Sequence, residues 1–171
     1  MNTIKLGIVT AGFLGLIPVM PGTFGTLAGV AIAWALRTTE LYALWVAGLA
    51  IGLYAVGYSL AGWAERHWGR KDPGSFVIDE VVGYLVTVAW VGGGLGHGGP
   101  SWLTLLMAFL LFRLFDITKP LFVGRAEHLP GGHGIMADDV AAGFLALAVL
   151  TVLRLTIGEP SLWTWSPGVA G

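Results

Sequence analysis

The sequence contains no cysteine and very little charge. The lack of cysteine excludes disulfides, thiolate metal ligands and thiolate nucleophiles. Charged residues make up 11% of the 171 residues, less than half of the ~25% that is typical of a soluble domain. The net charge of −1 leaves no basic field of the kind that holds nucleic acid. Hydrophobic residues make up 56%, which excludes intrinsic disorder and indicates a small helical membrane protein.

The few charged residues are concentrated in two windows of the sequence. Residues 65–80 and 113–139 hold fourteen of the nineteen charged residues. The long stretches without charge are residues 6–36, 41–64, 81–112 and 140–153. Because a membrane span needs ~20 mostly apolar residues, we predict an all-α membrane protein with about five apolar helices. We expect residues 1–171 to form a single domain.

The five predicted helices cover residues 21–37, 41–63, 79–91, 101–116 and 138–157. Ser101 follows a proline and is the expected N-cap of the fourth helix. The third and fourth helices are short for full spans, so they would tilt or be shielded by protein. The glycine-rich residues 92–99 are predicted to form a loop.

Residues 1–20 allow two interpretations. Lys5 followed by an apolar run is typical of a signal peptide. Glycines and prolines between residues 12 and 21 interrupt that run, which favours an interfacial or re-entrant lead-in to the first long helix.

The positive-inside rule predicts which helix ends share a side of the membrane. Arg66, Arg70 and Lys71 follow the second helix, and Lys119 and Arg125 follow the fourth, so both loops are predicted to be cytoplasmic. This topology brings five carboxylates to one membrane face, namely Asp79, Glu80, Asp116, Asp138 and Asp139. The start of the first helix, with Thr23, is expected at the same face.

The clustered carboxylates have a functional and a structural interpretation. Acids next to apolar segments are costly and typical of functional sites, and carboxylates with substrate phosphate are the usual ligands of Mg²⁺. The pairs at 79–80 and 138–139 could instead be helix N-caps. Asp116 is predicted at a helix C-terminus, where the dipole disfavours an anion. It is therefore functional or the partner of Arg113 or Lys119.

The other polar candidates also remain open between two roles. Arg113 and Lys119 are either snorkelling interface cations or phosphate ligands. Thr23 either caps the first helix or contacts substrate. His133 lies among glycines and is interpreted as a flexible loop residue.

Four segments carry a family resemblance that covers about residues 5–157. They are residues 21–27 (PGTFGTL), 79–83 (DEVVG), 112–120 (FRLFDITKP) and 134–143 (GIMADDVAAG). In this order and spacing they resemble the phosphatidylglycerophosphatase A family of bacterial membrane enzymes. The tail, residues 158–171, adds nothing to the resemblance.

The resemblance implies an all-helical enzyme of the bacterial cytoplasmic membrane, multi-pass, with its active site facing the cytoplasm. The implied reaction is Mg²⁺-dependent hydrolysis of phosphatidylglycerol phosphate to phosphatidylglycerol and inorganic phosphate. By matching positions, the implied catalytic and metal-binding acids are Asp79, Glu80, Asp116, Asp138 and Asp139. The accompanying phosphate-binding positions are Thr23, Arg113 and Lys119.

Several questions stay open at this point. One carboxylate would act as general base or as nucleophile, and the sequence does not choose between these routes. The oligomeric state, including a homo-oligomer, is also open. The alternatives to an enzyme are a cation or proton transporter subunit, whose acids would line a pathway, and a purely structural membrane subunit.

Overall fold

The chain is α-helical throughout the part that the computed structural model describes. These residues are 2–91, 99–120, 123–126, 129 and 131–164, without the side chains of residues 125, 160 and 161. The helices are α1 (Asn2–Val9), α2 (Pro21–Leu36), α3 (Tyr42–Trp68), α4 (Ile78–Val88), α5 (Trp102–Thr118), α6 (Val123–Ala126), α7 (Gly132–Ile157) and α8 (Pro160–Trp163). Over these residues no strand forms, and the predicted all-α class is confirmed. The predicted loop at 92–99 lies, apart from Gly99, outside the described residues, as does the Arg125 side chain.

Helix α4 forms the centre of the bundle. It is only 11 residues long, and all of them except Glu80 and Val86 are buried. Helices α2, α3, α5 and α7 all pack against it. A helix of this length rises about 16 Å, about half of the ~30 Å hydrocarbon thickness. The surrounding helices therefore shield α4 and the two acids in its first turn.

Fewer of the predicted apolar helices can span a membrane than the estimate of about five. Among the described residues, only α3 (27 residues) and α7 (26 residues) are long and apolar enough to span a membrane. Helices α2 and α5 have 16 and 17 residues, and α4 is shorter still. An uncharged stretch of sequence indicates that a helix has apolar surroundings. A protein interior provides such surroundings as well as a bilayer does, so an apolar helix need not be a membrane span.

Two glycines allow α4 and α7 to approach closely. A Cβ at Gly83 would lie 2.5 Å from the ring of Phe112 and 2.6 Å from the carbonyl oxygen of Asp139, and one at Gly143 would overlap the carbonyl of Gly83. The hydroxyl of Thr87 donates to the carbonyl oxygens of both glycines, at 3.0 and 3.3 Å. Small residues at a helix contact bring backbones together in this way. The contact sets the acids of α4 and α7 at the same level.

One predicted helix end is confirmed, and two others differ from the prediction. Ser101 is confirmed as the N-cap of α5, because its hydroxyl accepts from the backbone N–H of Thr104 at 3.2 Å. Helix α3 continues to Trp68, five residues beyond the prediction. Helix α7 begins at Gly132, six residues earlier than predicted, so Asp138 and Asp139 lie inside a helix.

The lead-in forms α1 and a 3-10 turn, Leu14–Leu16, and contacts the segment just before α4. The backbone N–H of Val77 donates to the carbonyl of Val9 at 2.8 Å. A Cβ at Gly15 would overlap the carbonyl of Ser75. The residues that a signal cleavage would remove therefore contact the segment that leads into the first turn of α4. The re-entrant or interfacial placement of this lead-in stays a prediction.

Candidate active site

Three carboxylates form the centre of the candidate site. Asp79 and Glu80 occupy the first turn of α4, and Asp139 is the eighth residue of α7. Each offers an oxygen that lies within 4.8 Å of those of the other two. Asp79 and Asp139 are 5% and 4% exposed. The close α4–α7 contact at Gly83 and Gly143 produces this juxtaposition.

These three acids form no salt bridge with a described lysine, arginine or histidine side chain, although the guanidinium of Arg113 lowers the pKa of Glu80. Oε2 of Glu80 is buried without a hydrogen-bond partner. Oδ1 of Asp79 accepts the backbone N–H of Glu80 at 3.0 Å. Buried carboxylates repel one another unless a cation lies between them.

Burial changes the acidity of the two acids in α4, which does not span the membrane. Burial raises the pKa of Asp79, and the neighbouring Glu80 carboxylate raises it further. Burial also raises the pKa of Glu80, to about 7. Both shifts have the direction expected when a carboxylate loses water without gaining a full positive partner.

The other two predicted acids are paired with the two predicted cations. Nη1 of Arg113 donates to Oδ2 of Asp116 at 2.5 Å, and Nζ of Lys119 donates to Oδ2 of Asp138 at 2.7 Å. Asp116 also interacts with Asp139. Oδ1 of Asp138 is buried without a hydrogen-bond partner. All five acids therefore lie in one cluster, which consists of an unpaired centre flanked by two ion pairs.

The N-terminus of α2 closes one side of the cluster. A Cβ at Gly22 would overlap Oε1 of Glu80 and lie 3.0 Å from Nη1 of Arg113, so only glycine fits here without displacing an acid. Thr23 is the next residue and is half-buried. The hydroxyl of Thr26 donates to the carbonyl of Gly22 at 2.8 Å. Thr23 was predicted from the sequence as a site residue, but Gly22 was not. Gly22 matters because it has no side chain, and such a role leaves no chemical signal in the sequence.

The N-cap interpretation of the acid pairs is wrong. Asp138 and Asp139 follow the start of α7 at Gly132 by more than one turn. The N-cap of α4 is Val77, and no side chain caps this helix. Asp79 and Glu80 benefit from the helix dipole, but helix capping does not account for their burial together with Asp139.

His133 does not occupy a flexible loop, as the glycines around it suggested. It lies in the first turn of α7, and its Nδ1 shares a hydrogen bond of 2.7 Å with the hydroxyl of Tyr54. The ring of Tyr58 lies 4.3 Å away, centroid to centroid. Tyr54 and Tyr58 are four residues apart on an apolar helix and therefore share one face. This spacing is the sequence signal that could have indicated a common polar partner, which is His133.

The carboxylate centre fits a hard divalent cation. Mg²⁺ binds oxygen ligands at about 2.1 Å and Ca²⁺ at about 2.3–2.6 Å, so two oxygens on opposite sides of such an ion are about 4–5 Å apart. The oxygens of Asp79, Glu80 and Asp139 lie within 4.8 Å of one another, which is close enough for all three to reach one such ion. Oε2 of Glu80, buried and unpartnered, is the atom for which a bound cation would supply a missing partner.

The fold and the site together define a helical membrane protein with a buried carboxylate centre. The family model for phosphatidylglycerophosphatase A (PgpA) matches residues 7–154. The chain belongs to this family, and the resemblance stated from the four sequence segments is confirmed. No solved structure matches the chain.

Three curated relatives support this assignment. "Phosphatidylglycerophosphatase A" of Escherichia coli K12 is 33% identical over 149 residues, covering 84% of this chain and 80% of the relative. "Phosphatidylglycerophosphatase A" of Haemophilus influenzae is 35% identical over 155 residues, covering 90% of each. "Putative phosphatidylinositol-3-phosphatase" of Bacteroides thetaiotaomicron is 35% identical over 158 residues, covering 88% of this chain and 94% of the relative. All three names denote phosphatases, and none supports a cation or proton transporter.

Proposed function

We propose that this protein is a divalent-cation-dependent lipid phosphatase that hydrolyses phosphatidylglycerol phosphate to phosphatidylglycerol and inorganic phosphate. The observation that carries the proposal is the carboxylate centre, in which three acids lie together and form no salt bridge with any cationic side chain that the structure describes. Membership of the phosphatidylglycerophosphatase A family supports the substrate. A phosphomonoester needs positive charge around its oxygens during transfer, and this centre is built to hold such charge.

Asp79, Glu80 and Asp139 would hold Mg²⁺. When bound, the ion would neutralise charge on the phosphoryl oxygens. The three acids already lie together in the fold, so little reorganisation would accompany binding. Gly22 keeps the backbone of α2 close to Glu80 without a side chain that would displace it.

Arg113 and Lys119 would bind the phosphate of the substrate. Each now pairs with an acid at the edge of the centre, and phosphate oxygens would compete with those acids for their N–H groups. The planar guanidinium of Arg113 suits two phosphate oxygens at once. Thr23, next to Gly22 in the first turn of α2, would contact the same phosphate from the opposite helix.

Asp138 is the residue that we assign as general base. Its Oδ1 is buried and has no hydrogen-bond partner, while Lys119 holds Oδ2. Oδ1 would accept a proton from a water molecule as that water attacks phosphorus. The P–O bond to the glycerol oxygen then breaks, and that oxygen takes up the proton that Asp138 accepted, which gives phosphatidylglycerol and restores the carboxylate.

We also propose a multi-pass arrangement in the bacterial cytoplasmic membrane. Helices α3 and α7 would cross the bilayer, and the carboxylate centre would face the cytoplasm. The support is the basic segment at the end of α3 and just after it, with exposed Arg66, Arg70 and Lys71, which the positive-inside rule places in the cytoplasm.

The test of the reaction is phosphate release by the protein reconstituted in lipid nanodiscs. Phosphatidylglycerol phosphate, phosphatidylinositol 3-phosphate and phosphatidic acid would be compared, with Mg²⁺ and with EDTA. We expect release from phosphatidylglycerol phosphate in Mg²⁺ and none in EDTA. Preference for the inositol lipid would contradict the headgroup assignment. Failure to release phosphate from all three would contradict the proposed activity.

The topology has a separate test, since the natural chain has no cysteine to interfere. Single variants Lys71→Cys and Glu40→Cys, both at exposed positions, would be treated in intact cells with a membrane-impermeant maleimide. We expect labelling at position 40 but not at position 71 until the cells are opened. Equal labelling of the two positions in intact cells would contradict the proposed orientation.

A further inference from the structure

An apolar groove runs along the outside of the bundle between α2 and α5. Its volume is about 280 Å³. Leu27 and Trp34 line it from α2, and Trp102, Leu106 and Phe109 line it from α5. Every lining residue is hydrophobic, and several are exposed, including Leu106 at 47%. The groove therefore offers an apolar partner a complementary surface but offers no polar group to hold a headgroup.

The groove begins one helical turn from the candidate active site. Helices α2 and α5 run antiparallel, and Gly22 of α2 meets Arg113 of α5 at the site. Leu27 lies four residues beyond Thr23, and Phe109 lies four residues before Arg113, each about 6 Å along the axis. From Leu27 to Trp34 the groove continues for about 10 Å. One end of the groove therefore opens toward the phosphate-binding groups and the other leads away from them.

We infer that this groove binds an acyl chain of the lipid substrate and thereby places the phosphomonoester at Arg113 and the carboxylate centre. The inference rests on the proposed lipid phosphatase function and adds to it the surface that recognises the hydrophobic part of the substrate. A lipid whose phosphate lies at Arg113 must extend its chains along the outside of the bundle. The groove is an apolar surface whose near end, at Leu27 and Phe109, lies about one helical turn from that position.

A second apolar groove lies far from the candidate active site, so its volume alone does not make it a candidate for binding the substrate. It is larger, about 530 Å³, and Leu36, Leu41, Leu44 and Leu49 are among its lining residues. It lies where α2 ends and α3 begins, about 20 Å from Thr23 along α2. A lipid chain in this groove would leave its headgroup at the end of the bundle that carries no carboxylate centre.

The two grooves supply a matched pair of variants. Leu106→Trp fills the α2–α5 groove, and Leu44→Trp places the same side chain in the second groove, where Leu44 is 53% exposed. Each would be assayed with dipalmitoyl and with dibutanoyl phosphatidylglycerol phosphate. We expect Leu106→Trp to lower kcat/KM about tenfold for the palmitoyl substrate, as for the loss of roughly two buried methylenes. The butanoyl substrate should be unaffected, and Leu44→Trp should leave both rates unchanged.

Two results would overturn the groove as the chain-binding surface. One is an unchanged rate with the palmitoyl substrate in Leu106→Trp, since a filled groove could not then be in use. The other is an equal loss on both substrates, because the short chains do not extend along the groove. Wild-type protein that hydrolyses neither substrate would instead contradict the proposed function.

A binding measurement tests the groove independently of turnover. Phosphatidylglycerol phosphate with brominated acyl chains, added in EDTA, should quench the fluorescence of Trp34 and Trp102. The quenching should be smaller in the variant that carries both Trp34→Phe and Trp102→Phe, and excess unbrominated substrate should reverse it. Reversal by phosphatidylcholine at the same concentration would show that the groove holds bulk lipid, which would overturn the inference.

Discussion

The two ends of the helix bundle bury different kinds of unpartnered polar group, which are carboxylate oxygens at one end and the neutral Tyr42 hydroxyl and Trp163 indole N–H at the other. At the end with the carboxylate centre, buried oxygens of Glu80 and Asp138 have no hydrogen-bond partner. At the other end, polar side chains bond to carbonyls of neighbouring segments. Thr104 donates to Trp163 at 2.8 Å, and Arg154 donates to Val91 at 2.9 Å.

This difference separates stability from function within one small protein. Bonds to main-chain carbonyls hold segments together, and the unpartnered hydroxyl of Tyr42 and indole N–H of Trp163 at that end carry no charge. A cluster of buried acids costs stability and persists in proteins chiefly where it performs a function. Substitutions at the acidic end should therefore affect turnover, and substitutions at the other end should affect folding.

The largest effect is expected at the carboxylate centre. Asp139→Asn should lower phosphate release about 10³-fold, equivalent to ~4 kcal/mol. Without metal the same change should raise the unfolding temperature by about 2–4 °C, because it removes a repulsive buried charge. The measurements are the phosphate-release assay and thermal unfolding in EDTA. Glu40→Gln, an exposed acid at the opposite end, is the control, and a near-wild-type rate in Asp139→Asn would contradict the assignment.

At the other end, the largest effect is expected for Trp163. This side chain is 2% exposed and belongs to the main hydrophobic core. Trp163→Ala should lower the free energy of unfolding by about 3 kcal/mol and leave turnover per folded molecule unchanged. Trp45→Ala, which truncates a 61% exposed side chain, should have a much smaller effect. A selective loss of turnover in folded Trp163→Ala would contradict the separation of the two ends.

Removing the ion pair of Lys119 and Asp138 should have an intermediate effect on turnover. Lys119→Ala removes a proposed phosphate ligand and the partner of Oδ2 of Asp138, and turnover should fall about 30-fold, or ~2 kcal/mol. The comparison is with Lys71→Ala, which removes an exposed lysine from a loop. Equal rates for the two variants would show that Lys119 is an ordinary interface cation.

The smallest effect is expected at the N-cap of α5. The hydroxyl of Ser101 accepts from Thr104 and donates to the carbonyl of Leu162. Ser101→Ala should cost about 1 kcal/mol of unfolding free energy with no change in turnover per folded molecule. Ser59→Ala, at an exposed site within α3, is the matched control. Denaturant titration would measure both, and equal stability of the two variants would rule out a stabilising cap.

The helices were predictable from the sequence because their signals are local. The uncharged stretches indicated α2, α3, α5 and α7, and the proline before Ser101 indicated an N-cap that the structure confirms. The starts of helices were harder to predict. Glycines at 131, 132 and 134 suggested a loop, but the packing of Gly132 against the carbonyl of Tyr58 and the contacts of His133 with α3 stabilise helix there.

The tail after residue 158 shows the same limitation. Its sequence carries no motif, and it added nothing to the family resemblance. In the structure Trp163 enters the core, and the carbonyls of Leu162 and Trp163 accept hydrogen bonds from the N-terminal residues of α5. Contacts between residues about 60 positions apart have no local pattern from which they could be predicted.

The sequence by itself determined the helical class and the membrane character. It also indicated that acids from three separate segments lie in one site. Composition and short motifs express these properties directly. The tertiary structure decided how the acids divide into an unpaired centre and two ion pairs, and it showed that α4 is shielded by its neighbours. These properties depend on how closely helices approach, which is set at Gly22, Gly83 and Gly143 by the absence of a side chain.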